Sequence, residues 1–455
     1  MASPTPLFII VLKVKKRKKV LAIITKQVYS IIVELEEKIS ILAEAAKYDA
    51  SCASSGTRGK HHAARKGGMG SSVAMGVCHS WTGDGRCVTL LKLLFSNVCK
   101  YDCVFCANRA SADIRRASFT KDELVKLTIE FYRRNYIEGL FLLSGIFADP
   151  DIVMEQLVGT AKKLRLEAGF GGYIHLKVIP GAGERLLWEA GYWADRLSAN
   201  IELPTEKSLR ILAPEKSGKE IFGAMSYISQ SGLEIKEDGL SRTIKKAPKF
   251  APAGQSTQLV VGASNEDDRQ IIALSGALYR KYALKRVYYS AFIPVGLNGD
   301  LAMRDPLLPD IEGPPLVREH RLYQADWLMR FYNFSPDEIL DPVSPFLDKD
   351  LDPKTVWALR HLDFFPVEVN KASYEELLRV PGIGAVSAQR IIGQRRSSLL
   401  TFDILKSLGV VLKRARYFIT ASGSFIDKPD DPERIRVKLI HGEQGSAGSQ
   451  LAFDF

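Results

Sequence analysis

Beyond Cys106 the chain contains no cysteine, although it runs to 455 residues. All six, Cys52, Cys78, Cys87, Cys99, Cys103 and Cys106, fall in the first quarter. A disulfide framework would spread them along the chain, so crowded thiols in a large sequence read as reduced metal ligands. Also missing is any apolar run long enough to span a bilayer, which excludes an integral membrane protein of the helical kind. Secretion is not expected either: the apolar run Leu7–Leu12 precedes the basic run Lys13–Lys19, whereas a signal peptide places its charges first. The expected location is cytoplasmic. Acidic residues are in deficit, 52 against 63 Lys and Arg, and the net charge of +11 is compatible with a polyanionic partner without proving one.

With 46% apolar and 25% charged residues, the chain has the composition of a globular protein, and its length predicts a large domain with an appended module. Residues 1–33 alternate short apolar runs with a basic cluster and read as an extension, with a start codon placed too far upstream as the simplest explanation. A nucleic-acid-binding arm or a membrane-surface patch is the alternative. Residues 34–84 comprise a helix starting near Glu34, with Leu35, Ile39, Leu42 and Ala46 at helical spacing, and a loop rich in Gly, Ser and basic residues at 51–72. Over 85–300 strand-like runs alternate with helical segments: a run after Cys87, then 139–143, 173–178, 199–203, 258–261 and 287–292. Six strands alternating with helices predict an α/β fold with a parallel sheet, a partial (β/α)6 barrel of TIM-like type. Residues 301–359 form a Pro-rich bridge with a helix at 318–331, residues 360–425 a small all-α module, and residues 426–455 a tail.

Cys99, Cys103 and Cys106 form a CxxxCxxC triplet on a tight loop directly after a buried strand. Three thiolates can ligate three irons of a [4Fe-4S] cluster and leave the fourth open for chemistry. A structural zinc site needs four ligands, for which Cys87 or His79 is the available fourth. Cys52, Cys78 and Cys87 are candidates for an auxiliary cluster, although their irregular spacing equally suits incidental thiols.

The triplet, with the aromatic Phe105 directly before its last cysteine, resembles the radical S-adenosylmethionine (SAM) superfamily over about residues 85–300. That resemblance implies a [4Fe-4S] cluster and SAM as cofactors, and reductive cleavage of SAM to a 5′-deoxyadenosyl radical that abstracts a substrate hydrogen. It implies a reductant such as flavodoxin or ferredoxin. It also implies cofactor-binding roles at the carboxyl ends of successive strands, where β/α barrels build their sites. Leu142, Leu143, Ser144 and Gly145 resemble the segment that meets the SAM amino group, without the commoner Gly-Gly-Glu. Ser198, Asn200 and Glu202 alternate along one predicted strand, and His175 and Lys177 along the one before, so each set is expected to share a face. For any one of these polar residues an ordinary hydrogen-bonded barrel position is the alternative. Val260, Val261, Gly262 and Ala263 resemble the segment beside the adenine.

Residues 370–396 (NKASYEELLRVPGIGAVSAQRIIGQRR) resemble the helix-hairpin-helix motif of DNA-binding proteins, with the hairpin at Val380–Gly384. Gly382 and Gly384 permit a turn whose backbone N–H groups, with Ile383 between them, can cradle a phosphate. Lys371, Arg390, Arg395 and Arg396 add charge. The alternative is a hairpin used for protein contacts. Residues 402–418 read as a degenerate second half. The tail ends in QLAFDF, whose Gln450, Leu451, Phe453 and Phe455 resemble a sliding-clamp-binding hexapeptide, against the alternative of a strand packed on the protein itself.

The combination resembles a bacterial family of radical SAM proteins assigned to DNA modification or repair, from about Glu34 onward and including CHSWTGDGRC. It implies an enzyme that acts on a DNA base or sugar. Modification of structured RNA is the second reading. A DNA-binding protein whose iron-sulfur cluster is structural or senses redox state is the non-enzymatic one.

Overall fold

The computed structural model describes residues 34–46, 77–81, 87–241, 249–294, 305–427 and 431–444. The basic extension, the Gly/Ser-rich loop, Cys52 and the terminal hexapeptide lie outside the described residues. Within them the chain gathers into two compact units, one comprising Met1–Ile201, Glu206–Gln258 and Ile293–Asp310, the other Glu202–Thr205, Leu259–Phe292 and Ile311–Phe455. This division differs from the expected boundaries, because it cuts the sixth strand and assigns its second half and all of the seventh to the carboxyl-terminal unit.

Helix α1 (34–45) is followed by β1 (Val77–Trp81), which was not expected and pairs antiparallel with β2 (Cys87–Leu94), Trp81 opposite Cys87. Then come α2 (Lys121–Arg133), β3 (Gly139–Leu143), α3 (Pro150–Leu166), β4 (Tyr173–Lys177), α4 (Glu184–Trp193) and β5 (Arg196–Ser198). Helices α5 (Glu206–Leu212) and α6 (Gly218–Ser241) lead to β6 (Gln255–Val261). Strands β2 to β6 pair in parallel with one another, and the sheet order β1 to β7 is the chain order. Parallel pairing demands a crossover after each strand, and the intervening helices supply it. The α/β architecture with a six-stranded parallel sheet is therefore as expected.

One face of the first unit's sheet is largely apolar. Leu91, Leu93, Leu140, Leu142, Ile174, Leu176 and Leu197 are at most 1% exposed, and α2, α3 and α4 bury their own apolar stripes, among them Leu124, Leu157 and Leu187. The opposite face is not apolar. The registers place Lys92, Phe141, His175 and Arg196 side by side on four successive strands, and Lys177, Ser198 and Ser256 side by side two residues further on. Phe141 and His175 stack with centroids 4.0 Å apart, and Lys92 Nζ stands 5.3 Å from the Phe141 centroid.

In the second unit, α7 (Asp268–Tyr282) begins with a capping box, Asp267 accepting from Gln270 N and Gln270 from Asp267 N. Strand β7 (Arg286–Ala291) follows, then α8 (Leu316–Phe331). An unpaired strand edge invites pairing with another chain. Here alternate N–H groups of β7 are taken by side chains: Val287 N donates to Tyr279 Oη (2.9 Å), Tyr289 N to Tyr323 Oη (3.1 Å) and Ala291 N to Glu319 Oε2 (2.6 Å). Burial pushes the Glu319 carboxyl up to about 7, and the Ala291 N–H only partly opposes it.

The rest of this unit is helical: α9 (Pro336–Ile339), α10 (Pro353–Arg360), then β8 (Val367–Glu368), α11 (Tyr374–Arg379), α12 (Ala385–Gln394), α13 (Phe402–Ser407), α14 (Leu412–Ala415), β9 (Ile419–Thr420) and α15 (Pro432–Gln444). Strands β8 and β9 pair in parallel, so the segment holds two helix-turn-helix halves, each turning at a left-handed glycine, Gly382 (φ 82°) and Gly409 (φ 89°). The halves brace each other: Val411 N donates to Gly382 O (2.9 Å), and Ser387 Oγ to Gly409 O (2.9 Å). The range 402–418, expected as a degenerate second half, holds α13 and α14. Among the described residues no helix is long and apolar enough to cross a membrane.

Candidate functional site: a three-cysteine loop at the sheet's carboxyl edge

Because β2 to β5 run in parallel, their carboxyl ends meet at one edge of the first unit, and the cysteine loop departs from that edge after β2. The loop is held by its backbone at several points. Lys100 N donates to Ile146 O (2.7 Å), Val104 N to Leu212 O (2.8 Å), Ala110 N to Tyr101 O (2.9 Å) and Cys106 N to Cys103 O (2.9 Å). Asp102 accepts from Ser111 N (2.9 Å) and Ser111 Oγ (2.7 Å), which hold its carboxyl below the usual range against the opposing effect of burial. Cys103 is buried, while Cys99, Cys106 and Phe105 are half-buried. Asn108 N points at Cys106 Sγ (3.4 Å), an interaction that suits a thiolate or a cluster sulfur better than a neutral thiol. Among the described residues no three His, Cys, Asp or Glu side chains are arranged to hold a single metal ion. A cluster distributes its three thiolates over three irons, so this observation bears on the zinc alternative only. Cys78 is buried on β1 and Cys87 is exposed; the side chain of His79 lies outside the described residues.

Ser144 and Gly145 are brought directly against this loop. Gly145 N donates to Ser96 O (2.7 Å), and Ser144 Oγ to Gly145 O (2.8 Å). A methyl group at 145 would overlap the Val98 carbonyl oxygen and lie 3.1 Å from Val98 C and 3.2 Å from Ser96 O, which is why only glycine fits. Lys177 ends β4 and Ser198 ends β5 in register with it, so both join the same edge. Ser198 Oγ is buried, with the residue 4% exposed, and has no hydrogen-bond partner; Ser256 Oγ, in register on β6, is in the same condition. The orphaned Ser198 hydroxyl, at its strand's carboxyl end, fits a polar ligand that completes it, whereas Ser256 lies near the start of β6. Asn200 is buried nearby in the chain at 5% exposure.

The expected strand 199–203 is displaced. Its ladder with β4 ends at Ser198, and Ile201 N donates to the Thr257 side chain (3.1 Å) instead of continuing the ladder. Ser198, Asn200 and Glu202 therefore do not share a regular strand face. Glu202 belongs to the second unit, where it adopts a left-handed φ of 63° and bridges to Leu259, and its carbonyl accepts from Val260 N (2.7 Å). Such a conformation costs a non-glycine residue about 1 kcal/mol or more and is concentrated at functional positions. Gly262 also lies in the second unit, with φ 86° and Pro315 against it. The sequence reading missed Glu266 close by, a buried carboxylate that accepts from Thr205 Oγ1 (2.7 Å) and from Ser264 Oγ. It also missed Lys92 and Arg196, which resemble ordinary surface residues until the register places them beside Phe141 and His175.

The hairpin residues divide by role. Val380 and Ile383 have buried side chains, so only their backbone is open to contact, and the N–H groups of both are taken by Leu377 O and Val380 O respectively. Gly382 is packed on the second half, where an added Cβ would stand 2.5 Å from Val411 O. Gly384 caps α12 without a side-chain bond, so the first-turn N–H groups of Val386 and Ser387 have no capping side chain. The Ala385 N–H faces the Tyr332 hydroxyl. Arg390, Arg396 and Lys371 are exposed, whereas Arg395 is committed internally to Val369 O (3.3 Å) and Ala372 O (2.5 Å). Beneath the turn, buried Lys354 donates to Leu378 O (3.0 Å) and Ile383 O (2.6 Å).

Residues 93–240 match the family model of the Radical SAM superfamily. No curated protein matches the sequence. Among solved structures, similarity extends to the FeFe-hydrogenase maturase HydG from Carboxydothermus hydrogenoformans, at 14% identity over 52% of this chain and 50% of that one, TM-score 0.38. It extends to methylornithine synthase (PylB), at 18% identity over 53% and 61%, TM-score 0.38. A third is the radical SAM methyltransferase TsrM from Kitasatospora setae, at 10% identity over 68% and 61%, TM-score 0.34. The chain thus spans about half the length of the first of these and about three-fifths of the other two. The matched family implies a [4Fe-4S] cluster and SAM, and the cysteine loop, the N–H directed at Cys106 Sγ and the orphaned Ser198 hydroxyl are compatible with both. The family likeness is therefore confined to residues 93–240, which match the Radical SAM superfamily model.

Proposed function

We propose that this chain is a radical SAM enzyme acting on nucleic acid, with DNA as the substrate class. In this reading Cys99, Cys103 and Cys106 hold the cluster, and Ser144, Gly145, Lys177, Ser198 and Asn200 face SAM. When bound, cluster and SAM supply an electron and a 5′-deoxyadenosyl radical able to abstract a hydrogen atom. The chain's own part is to fix the thiolates through the loop's backbone bonds, to hold the Ser144–Gly145 segment against Ser96 and Val98, and to exclude water from a largely buried polar face.

The observation that carries the nucleic-acid reading is the turn at Gly384. It leaves the N–H groups of Val386 and Ser387 without a side-chain cap at the start of a ten-residue helix, in a segment that also exposes Arg390, Arg396 and Lys371. Such groups suit a phosphate backbone and position a duplex without reading its sequence. A base acted on within a duplex must first be exposed.

The test is equilibrium binding to a duplex over a range of salt, followed by nucleoside mass spectrometry of DNA treated with the reduced, SAM-loaded protein. Affinity should fall steeply with salt, and Arg390→Ala should lower the slope by about one. Binding that ignores salt, or tighter binding to structured RNA, would count against DNA.

A further inference from the structure

We infer that Arg116 is a positioning residue for the iron-sulfur centre, clasping the two ends of the cysteine loop so that its thiolates are set before any cluster is present. Its guanidinium donates to four carbonyls: Nη1 to Asn97 O (2.6 Å) and Asn108 O (2.9 Å), Nη2 to Arg109 O (2.6 Å) and Ala112 O (3.0 Å). Those bonds use every hydrogen of the two terminal nitrogens. Asn97 lies two residues before Cys99 and Asn108 two residues after Cys106, so one side chain closes the neck of the loop.

Asn97 completes the clasp from the other side. It is wholly buried, its Nδ2 donates to Arg115 O (2.8 Å), and its Oδ1 accepts from Ala117 N (2.7 Å). The effect reaches a ligand through Asn108, because the residue whose carbonyl Arg116 holds is the one whose N–H points at Cys106 Sγ. Asn108 is itself anchored by Nδ2 to Ala45 O (3.3 Å) at the end of α1. A lysine at 116 has a single nitrogen and cannot span four carbonyls spread over residues 97–112.

The inference rests on the reading that the three cysteines hold a cluster, and the experiment separates the two. Wild type, Arg116→Lys, Arg116→Ala and Arg165→Lys are reconstituted anaerobically, and iron and sulfide per chain, the rate of iron loss to a chelator and the electron paramagnetic resonance spectrum of the reduced protein are compared. Arg165 is the control: it makes a similar set of bonds, to Phe170 O, Gly172 O, Trp193 O and Asp195, remote in sequence from the cysteines. Both Arg116 variants should lose iron about tenfold faster, the scale on which outer partners of metal ligands act, with an altered spectrum. Arg165→Lys should lower thermal stability while leaving both readouts as in wild type. Iron loss and spectra of the Arg116 variants identical to wild type would overturn the inference, and so would Arg165→Lys behaving as Arg116→Lys does. Should Arg116→Ala fail to fold by circular dichroism, Arg116→Lys decides on the same readouts. A wild type that takes up no iron would overturn the cluster reading itself.

Discussion

Replacing Gly145 by alanine adds one methyl group at the point where the segment after β3 crosses the cysteine loop. That methyl overlaps the Val98 carbonyl oxygen and also meets Ser96 O at 3.2 Å. Both neighbours are backbone, so no side chain can swing away, and the loop must retreat by about 1 Å at the residue before Cys99, at an overpacking cost of about 1–3 kcal/mol. The bonds most exposed to this shift are Gly145 N to Ser96 O and Lys100 N to Ile146 O, both 2.7 Å, each worth about 1 kcal/mol. A 1 Å displacement of a reacting group can cost about a hundredfold in rate. Gly145→Ala should therefore fold, melt a few degrees lower, load less iron on reconstitution, and cleave SAM at about a hundredth of the wild-type rate per cluster. Iron content and 5′-deoxyadenosine, measured by chromatography after reduction, check this directly. Wild-type iron loading with wild-type SAM cleavage would refute the argument that this contact sets the loop.

Glu319 is held up at about 7 by burial, so its contribution to stability is fully present below the ordinary carboxylate range and is lost as pH rises through about 7. Glu319→Gln keeps an acceptor for the Ala291 N–H and should make the protein more stable than wild type at pH 8, by roughly 2 kcal/mol in urea unfolding, with little difference at pH 5. Lys354 is displaced the other way, down to about 7 by burial with Arg414 and Arg379 adding to the effect, so the folded state binds fewer protons than the unfolded one and stability should rise with pH above about 7. Lys354→Met strands Leu378 O and Ile383 O under the turn, and hydrogen exchange at residues 374–394 should quicken in the variant; unchanged protection would show that the lysine does not hold the hairpin.

The parts of the fold carried by periodicity were legible in the sequence. Leu124, Val125 and Leu127 mark α2, and the run Gly139–Leu143 is β3 residue for residue. The CxxxCxxC spacing placed the loop, and Gly382 and Gly384 placed the turn. What escaped was set by tertiary contacts. The strand expected at 199–203 starts three residues earlier, with Arg196 as the first residue of β5 in register with His175. The alternation of Ser198, Asn200 and Glu202 gave no hint that Thr257 interrupts the ladder or that Glu202 turns left-handed. Arg116 and Arg395 were indistinguishable from surface cations, since donation to backbone carbonyls leaves no trace in composition. Strand β1 is too short and too polar to stand out, and it is recognisable only from its register with β2.

The central claim is that Cys99, Cys103 and Cys106 assemble a centre that cleaves SAM. The direct measurement is release of 5′-deoxyadenosine by the anaerobically reconstituted, reduced protein alongside Cys103→Ala. The account predicts release by wild type and none by the variant; no release by wild type, or equal release by both, would contradict it.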